Sequence, residues 1–517
     1  MHPSIHAQTN PDKPAVIMGS SGEVITFAQL DARSNQVAQL LRSRGIVIGE
    51  TIAICMENHP WYFALAWGAQ RAGLHYVCIS SRLTAPEVAY ILEDSGAKLL
   101  FTSSYLGAVM DEVAQLLPNV PQLRFGETGA LSAAAALQAM PATPIADERA
   151  GVDMLYSSGT TGRPKGVKIP LPDDPAIAQT NSLADLARMA FGITGDAVYL
   201  SPAPLYHAAP LRWSMTVHKV GGTVVVMEKF DPEDALAMIE KYKVTDSQWV
   251  PTHFVRMLKL PEAVRAKYDV STLKCAIHAA APCPVPVKRA MIDWWGPVLM
   301  EYYAGTEGNG FTFITSAEWL QRPGSVGRAL TGIVRVCDEN GDEVPRGTEG
   351  QIFFEATDLT VKPFEYHNDP VKTAESRNKH GWTSLGDVGL LDEEGYLFLT
   401  DRKSFMIISG GVNIYPQEIE NLLITHPKVA DVAVIGAPDP DMGEKVVAVV
   451  QPADMAEAGP ALAEELSAWL APQLSRVKMP RQIDFRETLP RELTGKLYKR
   501  LLRDEYKEAY EKAQAAG

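Results

Sequence analysis

Eleven consecutive residues, Tyr156-Ser157-Ser158-Gly159-Thr160-Thr161-Gly162-Arg163-Pro164-Lys165-Gly166, hold four serine or threonine hydroxyls, three glycines and a lysine. That mixture suits a phosphate grip. Glycine lets the backbone approach an anion closely, successive N–H groups form an anion-binding concavity, hydroxyls donate hydrogen bonds and lysine adds positive charge. The apolar lead-in at 152–156 reads as a strand, so the loop sits at a strand end. It is not a Walker loop, because Lys165 is followed by Gly166 instead of the Ser or Thr that motif needs, and a P-loop kinase or ATPase is disfavoured. By composition alone the stretch also suits an ordinary turn, in which Gly and Ser dominate.

Four further clusters could do related chemistry. In Glu301-Tyr302-Tyr303-Ala304-Gly305-Thr306-Glu307-Gly308 an aromatic ring, a hydroxyl and a carboxylate stand close together, able to stack on a base, hold a phosphate oxygen and hold Mg²⁺. Asp387 lies between Gly386 and Gly389, and a lone carboxylate can accept two vicinal ribose hydroxyls. Asp401-Arg402-Lys403-Ser404 leads into Gly410-Gly411 and reads as a linker or hinge. Lys496 sits in a Gly-containing loop near the end of the sequence. Taken singly, each has an ordinary structural reading: core packing, a hairpin turn, a linker or a solvated charge.

The elements that must position these residues alternate. Segments 15–18, 51–56, 76–79 and 98–102 read as strands separated by helical patterns, with capping boxes at Thr26/Gln29 and Thr84/Glu87 and stops at Gly45 and Gly96. Such spacing predicts βαβ units and a mostly parallel sheet. Residues 104–150 are Ala-rich and weakly patterned. A second α/β series follows, with strands at 198–200, 222–227, 245–250 and 274–278 and a helix at 232–241. From about 324 to 400 short strands and turns at Asn340-Gly341 and Glu394-Gly395 predict a small β-rich module. Beyond 401 one more α+β unit follows, with helices near 416–425 and 462–474, strands at 429–435 and 445–450, and a basic tail.

Length and composition set bounds. At 517 residues the sequence exceeds one core, and about 150 residues per domain suggests two to four compact units. With 48 Lys+Arg against 62 Asp+Glu the net charge is −14, which argues against a general affinity for nucleic acid or anionic membrane. Five scattered cysteines without CxxC spacing suggest neither a disulfide framework nor structural zinc. No segment approaches the apolar length of a membrane span, and a cytoplasmic enzyme is expected.

Together and in order, the five clusters resemble the adenylate-forming superfamily, which includes acyl-CoA and aryl-CoA synthetases, luciferase and peptide-synthetase adenylation domains. The resemblance covers essentially the whole chain and is closest to the acyl-CoA and aryl-CoA synthetases. It implies an α/β fold, with a large N-terminal domain of two α/β subdomains plus a small β-rich module (1–401), a hinge (402–404, centred on Ser404) and a small mobile α+β C-terminal domain (405–517). It implies ATP, Mg²⁺ and coenzyme A as reactants and cofactors, a small-molecule carboxylic acid as partner, and admits a homodimer.

By that pattern Ser157, Ser158, Gly159, Thr160, Thr161, Gly162 and Lys165 hold phosphates, Tyr303 stacks on adenine beside Ala280 and Ala281, and Asp387 with Arg402 holds the ribose. Thr306 contacts the α-phosphate, Glu307 binds Mg²⁺ and Lys496 stabilises charge between carboxylate and α-phosphate. Gly410, Gly411 and Arg82 are expected at coenzyme A. His207 gates the carboxylate pocket, whose walls are expected from Trp213, Met215, Trp249, His253, Ala279 and Ala304. Ser404 and Phe405 depart from the usual hinge residues, and Ala279 and Ala304 stand where glycine is usual. The implied reaction is AMP-forming ligation of coenzyme A to a hydrophobic fatty, steroid or terpenoid side-chain, or arylpropenoic acid. Transfer to a carrier-protein phosphopantetheine is the alternative.

Overall fold

The computed structural model describes residues 2–157, 164–358, 363–491 and 497–516, the side chains of Ser157 and 513–516 excepted. Alternating apolar runs and amphipathic helices build two parallel-centred sheets. The first has six strands, and its core order runs Gln122–Phe125, Ala97–Ser103, Thr51–Cys55, His75–Ile79, Val152–Ser157, Lys165–Lys168. Its central strands Thr51–Cys55 and His75–Ile79 are buried at every position, as expected of strands covered on both faces. The helices are delimited as their sequences predict. Thr26 and Thr84 both form full capping boxes, and Gly96 ends its helix in the left-handed region at φ 65°.

The second sheet departs from expectation in one way. Pro14–Met18, expected among the first series, pairs in parallel with Thr223–Val226 of the second, so the N-terminal strand joins the distant sheet. The β-rich module is continuous with that sheet. Ser325 pairs with Phe398, and this contact joins the strands from 333 to 402, through Ser325–Thr331 and Phe311–Thr315, to the parallel strands Asp246–Trp249, Cys275–His278 and Leu299–Ala304 in one thirteen-stranded sheet. The hairpin glycines Gly341 and Gly395 take φ of 79° and 82°, as tight turns there require.

A separate five-stranded sheet follows from Ile407, centred on the long antiparallel pair Val429–Asp439 and Gly443–Pro452. Helix Pro416–Leu423 and helix Pro460–Leu470 pack their apolar faces over one core, and the basic tail folds as helix Lys499–Ala516. That unit touches the rest of the chain at defined points. Gln417 N–H donates to Asp401 Oδ2 (2.9 Å), Arg503 donates to the Ser404 carbonyl (3.0 Å), and Lys259 donates to the Val429 carbonyl. Among the described residues no helix is long and apolar enough to cross a membrane.

Candidate active site

The carboxyl ends of the parallel strands Asp246–Trp249, Cys275–His278 and Leu299–Ala304 open on one cavity of about 1720 Å³, the place where open α/β sheets bind ligands. Strand Val152–Ser157 runs to its edge and pairs with Lys165–Lys168. Of the phosphate loop between them, Ser158, Gly159, Thr160, Thr161 and Gly162 lie outside the described residues, as does the side chain of Ser157. Lys165 is described. It lines the cavity with its ammonium 4.9 Å from the centre of the Tyr366 ring, and burial, then the charge of Lys372, lower its pKa.

Opposite lies a three-residue polar knot. Asp387, buried at the start of strand Asp387–Leu391, accepts from the Tyr303 hydroxyl at Oδ2 (2.6 Å) and from Arg402 Nε at Oδ1 (2.9 Å). Its two partners come from strands Leu299–Ala304 and Leu397–Arg402, and Asp387 and Arg402 are direct cross-strand partners. The Asp387 charge raises Arg402 above its ordinary value despite burial. Burial, followed by Asp387, pushes the Tyr303 phenol well up. The Tyr303 ring lies against Phe354, with centroids 6.1 Å apart at 27°.

Thr306 and Glu307 follow Tyr303 at the cavity wall. Glu307 Oε1 accepts from the Tyr366 hydroxyl (2.9 Å), and Tyr366 thus links Glu307 to Lys165. Among the described residues no group of three metal-ligating side chains is present. A lone carboxylate suits Mg²⁺ carried mainly by phosphate oxygens and water, and Glu307 is the residue that would hold it.

Arg212 fixes this corner from behind. It donates to Asp153 Oδ2 through Nη2 (2.7 Å) and Nε (3.1 Å), and through Nη1 to the Thr306 carbonyl (3.2 Å).

His207 precedes helix Ala208–Val220 and lines the cavity, its ring 4.4 Å from that of Tyr206. Beyond it Trp213, Met215, Trp249, Ala279 and Ala304 form an apolar wall with Ala280 and Ala281 alongside. Trp213 Nε1 donates to the Tyr302 hydroxyl (3.2 Å), and Tyr302 stacks on Phe311 at 4.8 Å and 13°. Ala280 takes φ 78°, a left-handed conformation that costs a non-glycine residue about 1 kcal/mol or more. Lys219, at the far end of the same helix, also lines the cavity. Burial lowers its pKa to about 8 against the opposing charge of Asp153.

Four expected residues do not line the cavity. His253 does not reach the cavity: on helix Pro251–Leu258, Pro251, Thr252 and Val255 face the cavity, so helical periodicity turns His253 into the core. There it stacks on Phe230 at 4.0 Å, and burial lowers its pKa to about 3. Arg82 is exposed at the start of a helix away from the cavity, and Gly410 and Gly411 form the exposed turn of hairpin Ile407–Ser409/Val412–Ile414. Lys496 lies outside the described residues, but Arg491 and Leu497, which pair across it, both line the cavity, as does Lys499. Ser404 lies in the turn Lys403–Phe405.

Comparison with known proteins accounts for this arrangement. The AMP-binding enzyme profile matches residues 4–360, and that of the AMP-binding enzyme C-terminal domain matches 418–496. The chain belongs to the AMP-binding enzyme family. This AMP-binding enzyme is 34% identical over 513 residues to the long-chain-fatty-acid–CoA ligase FadD13 of Mycobacterium tuberculosis, with 97% of each chain covered. It is 33% identical over 509 residues to the fatty acid–[acyl-carrier-protein] ligase ScoC of Streptomyces coeruleorubidus, covering 97% of this chain and 95% of ScoC. ATP-bound MatB from Rhodopseudomonas palustris superposes with a TM-score of 0.81 at 29% identity, over 99% of this chain and all of MatB.

Sequence reasoning missed Tyr366, Asp153, Arg212 and Lys219. A signal existed for the last three. Asp153 interrupts an apolar strand, and Arg212 and Lys219, seven residues apart on one face, are the charges of a helix that otherwise has no Lys, Arg, Asp or Glu.

Proposed function

We propose that the protein is an ATP-dependent, AMP-forming acid–thiol ligase that joins a hydrophobic carboxylic acid to coenzyme A through an acyl adenylate. One observation carries the reading: a single cavity joins the Asp387–Arg402–Tyr303 knot, the Thr306–Glu307 corner and Lys165 to an apolar lobe behind His207. Asp387 and Arg402 hold the ribose and Tyr303 flanks the adenine. Lys165, with the loop Ser157–Ser158–Gly159–Thr160–Thr161–Gly162, holds the phosphates. Glu307 would hold Mg²⁺, which would supply neutralisation of phosphate charge.

A carboxylate oxygen of the acid then attacks the α-phosphorus and pyrophosphate leaves. Two anions must meet, and Lys496 is the cation placed to stabilise the charge that develops between them. In the second half-reaction the thiol sulfur attacks the acyl carbon and AMP leaves. Residues 1–401 form the nucleotide domain, 402–404 the hinge and 405–517 a mobile domain. Its rotation withdraws Lys496 and brings Gly410 and Gly411 to the thiol path. Five buried free cysteines suit a reducing cytoplasm.

The similarity to ScoC favours one second reading, transfer of the acyl group to a carrier-protein phosphopantetheine. Incubation with Mg·ATP, coenzyme A and pooled fatty, aryl and steroid acids, followed by mass spectrometry, separates the two. AMP with an acyl-CoA supports the ligase. AMP or bound adenylate without thioester moves the reading to the carrier protein, and ADP or no turnover overturns both.

A further inference from the structure

The cavity is also lined by polar groups that the reaction does not use. Helix Ala208–Val220 starts at His207 and turns Arg212, Met215 and Lys219 to the cavity. With a rise of 1.5 Å per residue, Lys219 lies ~18 Å along the axis from His207. Arg212 is committed to Asp153 and to the Thr306 carbonyl. Lys219 is not committed. Among the described residues its ammonium has no hydrogen-bond acceptor and no ion-pair partner, and Asp153, whose charge reaches it, is bound twice by Arg212.

Gln70, on helix Tyr62–Arg71, lines the same cavity. It is 8% exposed, and its carbonyl Oε1 is buried without a hydrogen-bond partner among the described residues. Trp67, one turn earlier on helix Tyr62–Arg71, donates from Nε1 to His218 Nδ1 (3.2 Å), the neighbour of Lys219, and so brings the two helices together. A half-buried cation and a buried carbonyl, both without partners among the described residues, are complementary to a ligand hydroxyl, which accepts from one and donates to the other.

We infer that the acid this enzyme activates carries a hydroxyl at the end remote from its carboxyl group, accepting from Lys219 and donating to the Gln70 carbonyl. The inference rests on the ligase reading above and names the substrate class of its acyl lobe.

The test compares hexadecanoic acid, ω-hydroxyhexadecanoic acid and hexadecanedioic acid. AMP and acyl-CoA are followed by mass spectrometry, and binding of each acid without ATP is followed by tryptophan fluorescence. The wild type is expected to favour the hydroxy acid over the plain acid about tenfold or more in kcat/KM, the size of a hydrogen bond to a charged group. Lys219→Met, with Lys219→Gln as a second variant, brings that ratio near unity through KM, and Lys219→Arg retains it. A purely structural lysine would leave the ratio unmoved. Equal handling of the two acids, a ratio that survives in both uncharged variants, or preference for the diacid overturns the inference while AMP formation leaves the ligase intact. If no acid yields AMP the ligase reading fails, and the binding ratio alone decides whether Lys219 receives an oxygen.

Discussion

Asp387, on the cavity wall, offers one carboxylate oxygen to Tyr303 and the other to Arg402, so both oxygens are anchored. A ribose bound there meets a preorganised acceptor. Asp387→Ala removes that acceptor and frees both partners; ATP–pyrophosphate exchange is expected to show KM for ATP raised about ten- to a hundredfold, with a smaller change in kcat. An unchanged KM would remove Asp387 from the nucleotide site.

At this scale much of the site was legible, because Tyr303, Thr306, Glu307, Asp387 and Arg402 stand in short motifs whose spacing is itself the signal. What was not legible depends on distance in the chain. Tyr366 reaches Glu307 across 59 residues and Arg212 reaches Asp153 across 59, and neither pairing leaves a local mark. His253 was misplaced for a different reason: its residue type suits a pocket, but the phase of its helix decides which way it points.

Among the elements, strand Asp246–Trp249 carries a titratable group that makes stability depend on pH. Burial raises Asp246 from 3.8 to about 6, opposed by the Thr245 hydroxyl and Lys274. A carboxyl with a higher pKa in the folded chain keeps its proton longer there. Its stabilising contribution is therefore complete below 3.8 and is lost as pH rises through about 6. Asp246→Asn stays neutral. Relative to wild type the variant should gain stability between about pH 4 and pH 6, by at most about 3 kcal/mol, and level off above. Urea titrations across that range would show a flat difference if Asp246 were not the cause.

The turn Lys403–Phe405 is the other element with a predicted consequence. Its Ser404 carbonyl is held by Arg503 of the last helix, so the turn links the two parts of the chain. Ser404→Pro fixes φ there. Thioester formation is expected to fall at least about tenfold while ATP–pyrophosphate exchange persists, because on the proposed mechanism only the second half-reaction needs the rotation. Equal loss of both would argue against a hinge at Ser404.

Over the whole molecule, the alternation of strands and helices foretold an α/β chain with a smaller C-terminal unit, since periodicity and caps are local. The closing of the sheets was not foretold. Pro14–Met18 joins a strand more than two hundred residues away, and Ser325 with Phe398 fuses the β-rich stretch to the parallel sheet, by pairings that any exposed strand edge could have made. That fusion brings Asp387 and Arg402 to the edge of the cavity that Leu299–Ala304 opens, so the residues proposed to hold ribose and α-phosphate share one sheet. The account as a whole requires the acid's own oxygen to bond to phosphorus. The most direct measurement supplies the acid with both carboxyl oxygens as the heavy isotope, together with Mg·ATP and coenzyme A, and weighs the nucleotide product. The account predicts AMP carrying one heavy oxygen and an acyl-CoA retaining the other; unlabelled AMP, or label released in inorganic phosphate, would contradict it.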